Sequence, residues 1–209
     1  MIEVVTEYPV AIDSPDHLKP WGTMRDSSVL PSFNAKLFAR YDVAQLLDLG
    51  CAGGGLVESV LEDGGFAVGI EGSDYSKKRD RASWASIPGN LFTADIGHPF
   101  EVMADGDRAY FDVVTAWEVL EHLTEEGIHG LVLNVRAHLA PGGVLLASIA
   151  PREDHPWHQT VRSPGWWLDR LTSLGLELDH EATAYFDPDW VRGPLTGEVD
   201  SFCAAWRAR

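Results

Sequence analysis

Glu118, Glu121 and His122 lie within one short stretch of the chain, and two further histidines, His155 and His158, follow downstream. Imidazole has an ordinary pKa of ~6.5, so it can take a proton near neutrality. His122, His155 and His158 are therefore candidate general bases for stripping a proton from a nucleophile. Surface histidines in a loop are the plain alternative for the latter two. Glu118 and His122 are spaced i and i+4, and they share a face if that turn is helical. A second stretch offers almost no side chain. Leu46, Leu47, Asp48 and Leu49 lead into Gly50, Cys51, Ala52, Gly53, Gly54 and Gly55. A strand that ends in such a turn and opens into a helix lets a ligand lie against the main chain, facing helix N–H groups.

The ligand class can be narrowed. A phosphate-gripping loop needs Gly-Lys-Ser/Thr after four residues, and no Lys follows these glycines. A dinucleotide fingerprint needs Gly-x-Gly-x-x-Gly, and a frame starting at Gly53 ends on Glu58, an acid placed badly for a pyrophosphate. Beyond a helix over Gly55–Leu61, stopped by Gly64 and Gly65, a buried strand runs from Phe66 to Ile70 and ends at Glu71 and Gly72. An acid at that strand tip, about 20 residues past the glycines, can accept hydrogen bonds from ribose hydroxyls.

The pattern Asp48, Gly50, Ala52, Gly54 resembles the first motif of class I S-adenosylmethionine-dependent methyltransferases, with alanine at the middle glycine. Alanine is tolerable there provided its φ is negative. Trp117, Glu118, Glu121 and His122 resemble the family's fourth-strand motif. Leu139, Pro141, Gly142 and Gly143 resemble the turn before its fifth strand. The resemblance covers residues 40–150. It implies a Rossmann-like, doubly wound, seven-stranded, mostly parallel α/β sheet closed by a C-terminal antiparallel strand pair. It also implies S-adenosylmethionine as cofactor, bound by Asp48, Gly50, Cys51, Ala52, Gly54, Glu71, Gly72, Asp95, Ile96 and Trp117. Asp95 would face the adenine amino group, with Ile96 against the ring. Glu118, Glu121 and His122, with His155 or His158, are similar to a divalent-metal set in some oxygen-methylating relatives; a metal is possible there but not favoured.

The remaining elements must position these residues. Strands are expected at residues 90–94, 111–116 and 143–149, and a helix over residues 32–41. Another helix starts at Pro164 with Ser163 as its cap. Residues 176–185 and 199–206 read as the closing strands. The proline-rich stretch 8–22 suits a lid rather than a regular element. We expect one domain over residues 1–209: a lid segment to residue 40, a cofactor-binding core to 150, and an acceptor-side portion beyond.

Charge and composition constrain the acceptor. Against 32 Asp and Glu stand only 16 Lys and Arg, for a formal net charge of −16. A partner rich in phosphates normally meets basic patches. The one dense basic cluster, Lys77, Lys78, Arg79 and Arg81, is diluted by Asp74 and Asp80. Nucleic acid is therefore disfavoured. The apolar runs fall short of the roughly 20 residues of a membrane span. Two cysteines far apart, Cys51 and Cys203, with no secretion signal ahead, read as reduced thiols of a cytoplasmic protein. His155, Trp157, His158 and Gln159, followed by Trp166 and Trp167, look similar to bacterial methyltransferases of sugars and other small polar acceptors. Indoles stack on apolar sugar faces while polar groups meet hydroxyls. The expected function is O-methylation of a small polar or sugar-like acceptor, with a histidine as base. N-methylation, an RNA-end or protein acceptor, and a non-catalytic cofactor-binding module are the alternatives.

Overall fold

A computed structural model describes residues 1–14, 17, 29–150, 152, 153, 155–192 and 202–209, and the architecture below concerns those residues. In chain order the elements are β1 (Ile2–Thr6), α1 (Pro31–Arg40), β2 (Gln45–Leu49), α2 (Gly55–Glu62), β3 (Phe66–Glu71), α3 (Tyr75–Lys78) and β4 (Leu91–Thr93). There follow β5 (Phe100–Ala104), β6 (Asp107–Arg108), β7 (Phe111–Trp117), α4 (Glu125–His138), β8 (Leu139–Ile149), α5 (Pro164–Ser173), β9 (Leu176–Leu178), α6 (His180–Phe186) and β10 (Phe202–Ala208).

The main sheet has seven strands in the order β4-β3-β2-β7-β8-β10-β9. The first five are parallel, while β10 runs antiparallel to both β8 and β9. Strands buried on both faces read as near-continuous apolar runs, and β2 and β3 do so. Their alternate residues feed two cores. Leu47, Leu49, Val68 and Ile70 pack with Ile128, Leu131 and Val135 of α4 on one face. Leu46 and Ala67 pack with Phe33 and Leu37 of α1 and Val57 and Val60 of α2 on the other. The chain leaves β2 toward β3 on one side and returns to β7 on the other. The carboxyl ends of β2 and β7 thus flank the switch point where α/β sheets open a crevice.

One expectation about the elements needs correction. Residues 176–185 do not form one strand: β9 ends at Leu178, and Asp179 caps α6 by accepting from Ala182 N–H at 2.9 Å. That cap begins a helix whose Ala182 and Phe186 are buried at i and i+4. Residues 199–201 lie outside the described residues, and the last strand starts at Phe202. A small second sheet, β1-β5-β6, was also unforeseen. It ties the N-terminus down, pairing Ile2 with Ala104 and Thr6 with Phe100. The helix at Pro164 forms as expected, with Ser163 Oγ accepting from Trp166 N–H. Its Trp167 is fully buried, so that indole belongs to the core.

Candidate active site

A cavity of about 270 Å³ opens at the carboxyl ends of β2, β3, β4 and β7. Gly50, Ala52, Glu71, Gly72, Asp95, Ile96 and Trp117 line one part of it; Glu118, Glu121, His122, His155 and His158 are among the residues that line another. Asp48, Cys51 and Gly54 do not reach its wall. Asp48 is buried behind it and accepts from Thr115 Oγ1 at 2.7 Å. Cys51 packs beneath the turn, close against Gly69. Burial, with Glu71 and Asp48 nearby, pushes its thiol well above the usual range, which makes it an inert filler. Gly54 has φ 84°, and a side chain there would meet Leu91.

The turn after β2 brings the main chain close to the cavity. Gly50 has φ 76°, and a Cβ there would lie 2.4 Å from Val119 Cγ2. Ala52 differs from the sequence expectation: its φ is 48°, in the left-handed region. That conformation costs a non-glycine residue about 1–2 kcal/mol. Two hydrogen bonds hold it, from Ala52 N–H to Glu71 Oε2 at 2.9 Å and from Trp84 Nε1–H to Ala52 O at 2.8 Å. Glu71, at the tip of β3, also accepts from Ser73 N–H through Oε1 at 3.1 Å. Its carboxylate is thus oriented across the glycine turn, with its body buried. Glu58, the acid of the first turn of α2, faces the hydroxyls of Ser83 and Ser86.

Asp95, past β4, combines a turn role with its place on the wall. Oδ1 accepts from Gly97 N–H at 2.9 Å, and Oδ2 lies 3.1 Å from His98 Nδ1. Its own N–H donates to Tyr8 O, and the Tyr8 ring stacks on His98. The N-terminal segment therefore docks beside Asp95. Ala11 N–H bonds Gly72 O, and Ser14 and His17 line the cavity. Of the stretch expected to form a lid, residues 15, 16 and 18–22 lie outside the described residues.

The opposite wall is made of side chains on irregular backbone. Glu118 and His122 do not share an α-helical face: Glu118 has φ 55°, and only Leu120–His122 form a 3₁₀ turn. Ser148 fixes Glu118, accepting its N–H through both O and Oγ at 3.0 Å. Glu121 is fully buried. Its Oε1 accepts from Ala150 N–H at 3.0 Å, and among the described residues Oε2 has no hydrogen-bond partner. Burial pushes this carboxyl up to about 7, against the lowering influence of His122. Glu121 O accepts from Gln159 and Thr160 N–H, Gln159 Nε2 donates to His122 O, and Thr160 Oγ1 donates to Leu123 O. These bonds zip the loop after β8 onto the turn after β7, bringing the three histidines together.

Ring centroids are 4.9 Å apart for His122 and His158, 5.8 Å for His122 and His155, and 4.2 Å for His155 and His158. Burial, aided by the other two imidazoles, drops His158 to about 4. His158 Nδ1 accepts from Arg152 N–H at 3.1 Å, so the neutral ring carries its proton on Nε2 and acts as a donor there. His155 Nδ1 accepts from Trp157 N–H at 3.4 Å. Glu121, His122 and His158, rather than Glu118, are the side chains whose ligand atoms lie within 4.8 Å of one another. Trp157, expected on the acceptor side, lines this wall, and Arg152 and Arg192, which were given no role in the sequence, line it as well. Arg192 lies beyond the end of α6, on a stretch whose destination no local pattern reveals.

A doubly wound sheet, a glycine turn at its switch point, an acid at the tip of β3 and another after β4 define a class I methyltransferase architecture. The glycine-walled turn and the oriented Glu71 fit S-adenosylmethionine. A family model described as "Methyltransferase domain" matches residues 25–182. The chain belongs to this family, the class I S-adenosylmethionine-dependent methyltransferases. It is similar to a ubiquinone biosynthesis O-methyltransferase of Idiomarina loihiensis, 32% identical over 113 residues, covering 54% of this chain and 45% of that protein. It is 28% identical to one of Shewanella halifaxensis, covering 77% of this chain and 64% of the relative. The chain thus spans about half to two thirds the length of these relatives. Among solved structures, the CcbJ methyltransferase from Streptomyces caelestis shares the fold over 98% of this chain and 99% of that one, with TM-score 0.59 and 16% identity. The glycopeptide N-methyltransferase MtfA with S-adenosylhomocysteine has TM-score 0.58 and 18% identity, over 87% of this chain and 88% of that one. Among the described residues, no helix is long and apolar enough to cross a membrane.

Proposed function

We propose that this chain transfers the methyl group of S-adenosylmethionine to a hydroxyl of a small polar acceptor. The observation that carries this reading is the single cavity shared by Glu71 and Asp95 on one wall and by Glu121 and three histidines on the other. Glu71 takes the ribose hydroxyls, Asp95 the adenine amino group, and Gly50, Ala52, Gly72, Ile96 and Trp117 enclose the donor. Asp48, Cys51 and Gly54 serve by shaping the turn from behind. The donor supplies an already activated methyl. The protein's task is then to hold a nucleophile in line with it and to remove a proton. Proton removal belongs to the cluster of Glu121, His122, His155 and His158.

Relatives named O-methyltransferases support oxygen as the methylated atom. Trp157 beside polar side chains suits a sugar-like or other hydroxylated ring. The net charge of −16 argues against nucleic acid as acceptor. Both cysteines are free thiols, which supports a cytoplasmic setting. Incubation with methyl-labelled donor and a panel of catechol, methyl glucoside, benzylamine, tRNA and a protein lysate tests the reading. Label is expected on the hydroxyl compounds. Label confined to the amine, RNA or protein contradicts it.

A further inference from the structure

Arg152 and Arg192 are the only arginines or lysines among the described residues that line the cavity. They come from segments far apart in sequence, in a chain whose formal net charge is −16. Neither belongs to the strand-end acids and glycines that receive the donor's ribose and adenine. Both stand on the wall that meets the acceptor, with Trp157 between the same segments. Two guanidinium groups gathered there, against the charge of the whole molecule, bear on what the acceptor carries.

Each arginine is delivered by backbone that other groups hold. Arg152 N–H donates to Ala150 O at 2.8 Å and to His158 Nδ1 at 3.1 Å, and Arg152 O accepts from His155 N–H at 3.4 Å. The Arg152 charge acts on the His158 ring, after burial and the other imidazoles. The approach to Arg192 is clamped from α1. Lys36 Nζ donates to Phe186 O at 3.3 Å and to Asp187 O at 2.9 Å, and it pairs with Asp189 Oδ2 at 2.6 Å. Trp190 Nε1–H donates to Asp187 Oδ1 at 3.2 Å, and its ring meets Trp117 edge-on at 6.1 Å. Trp117 itself lines the cavity, so a segment pinned to it carries Arg192 to the same space.

A guanidinium offers several N–H donors in a planar fork, so an ion pair within the protein leaves further donors for a ligand. An acceptor that fills the cavity displaces water from both groups. A neutral acceptor leaves that lost hydration unreplaced, whereas a carboxylate replaces it with charge-assisted hydrogen bonds in matching geometry. Glu118 and Glu121 line the same wall, so the net positive charge there is small. A singly charged carboxylate suits it better than a phosphate. We propose that the acceptor bears a carboxylate in addition to its methylated hydroxyl, and that Arg152 and Arg192 hold this carboxylate. The inference rests on the O-methyltransferase reading above. The arginines select and orient the acceptor and take no part in moving the methyl group.

The test pairs protocatechuate with catechol and methyl glucuronide with methyl glucoside, each acid matched to a neutral partner. Calorimetry on the full chain loaded with S-adenosylhomocysteine should show at least ~10-fold tighter binding of the acid in one pair. Arg152→Gln and Arg192→Gln should each cut that preference by ~5-fold or more, and Arg192→Lys by less, since it keeps the charge and loses the fork. Affinity for S-adenosylhomocysteine itself should stay unchanged. Its loss in either Gln variant would assign that guanidinium to the donor's own carboxylate and overturns the proposal. An equal loss for an acid and its neutral partner, the mark of a structural counter-ion, overturns it too. So does equal binding within both pairs, or no binding of either acid. Label transfer judges the underlying reading separately. Methylation of neutral and acidic hydroxyl probes at equal kcat/KM sinks this inference alone, whereas methylation of benzylamine and no hydroxyl probe sinks both.

Discussion

The two walls of the cavity are built by opposite means. The wall after β2, β3 and β4 is mostly main chain and strand-end acid: Gly50, Ala52, Glu71, Gly72 and Asp95 hold positions that the parallel sheet dictates. The wall after β7 and β8 is side chain on irregular backbone, a 3₁₀ turn zipped to a loop by Gln159 and Thr160. The first wall can serve one ligand shape wherever this sheet occurs. The second can be rewritten by changing a loop, which is how one architecture accommodates many acceptors. The difference predicts unequal responses to substitution.

The largest effect should come where the walls touch. Gly50→Ala places a Cβ 2.4 Å from Val119 Cγ2 and forces a side chain onto a φ of 76°. We expect a loss of about 2–4 kcal/mol in urea unfolding, with weakened binding on both walls. Unchanged stability would mean that the turn and residue 119 are not packed as described. Next, Glu71→Ala removes the carboxylate from the backbone-built wall. S-adenosylhomocysteine affinity should fall by about 1.5–3 kcal/mol in calorimetry, while Glu121→Gln leaves it alone. Equal losses in the two variants would erase the distinction between the walls.

Much of the first wall was legible in the sequence because its determinants are local. Apolar runs ending in an acid marked β2 and β3, and the glycines marked the turn between sheet and helix. The sign of φ at Ala52 was not legible, since the bonds that hold it come from Glu71 and Trp84, distant in sequence. The second wall was legible only as residue types. Burial of Glu121 depends on the loop after β8 folding back over it, and the tautomers of His155 and His158 depend on amides of that loop. The same limit explains α6, where an Asp179 cap outweighed the strand-like alternation of residues 176–185. It also explains the β1-β5-β6 sheet, whose short strands pair across nearly the whole preceding core.

A smaller effect, remote from both walls, checks that fold and site can be separated. His138 of α4 accepts Val102 N–H through Nε2 and donates through Nδ1 to Asn134 O, under the Phe100 ring. Burial lowers its pKa below the ordinary 6.5. The unfolded chain therefore takes up the proton first as pH falls. The stability this residue contributes is present above about pH 6.5 and drains away as pH drops toward the folded value. Urea midpoints should decline from pH 7.5 to pH 5, and less steeply in His138→Gln; parallel slopes would remove His138 from the account. The smallest effect is a gain. Ala52→Gly relieves the left-handed strain and should raise stability by about 0.5–1 kcal/mol, read as a higher melting temperature. A drop would show that the alanine methyl contributes packing on the cofactor wall.

A crystal structure with S-adenosylhomocysteine addresses the central claim most directly. The account predicts ribose hydroxyls on Glu71, the adenine edge at Asp95, and the sulfur facing the wall of Glu121 and His122. Ligand density elsewhere, or a ribose out of reach of Glu71, would contradict it.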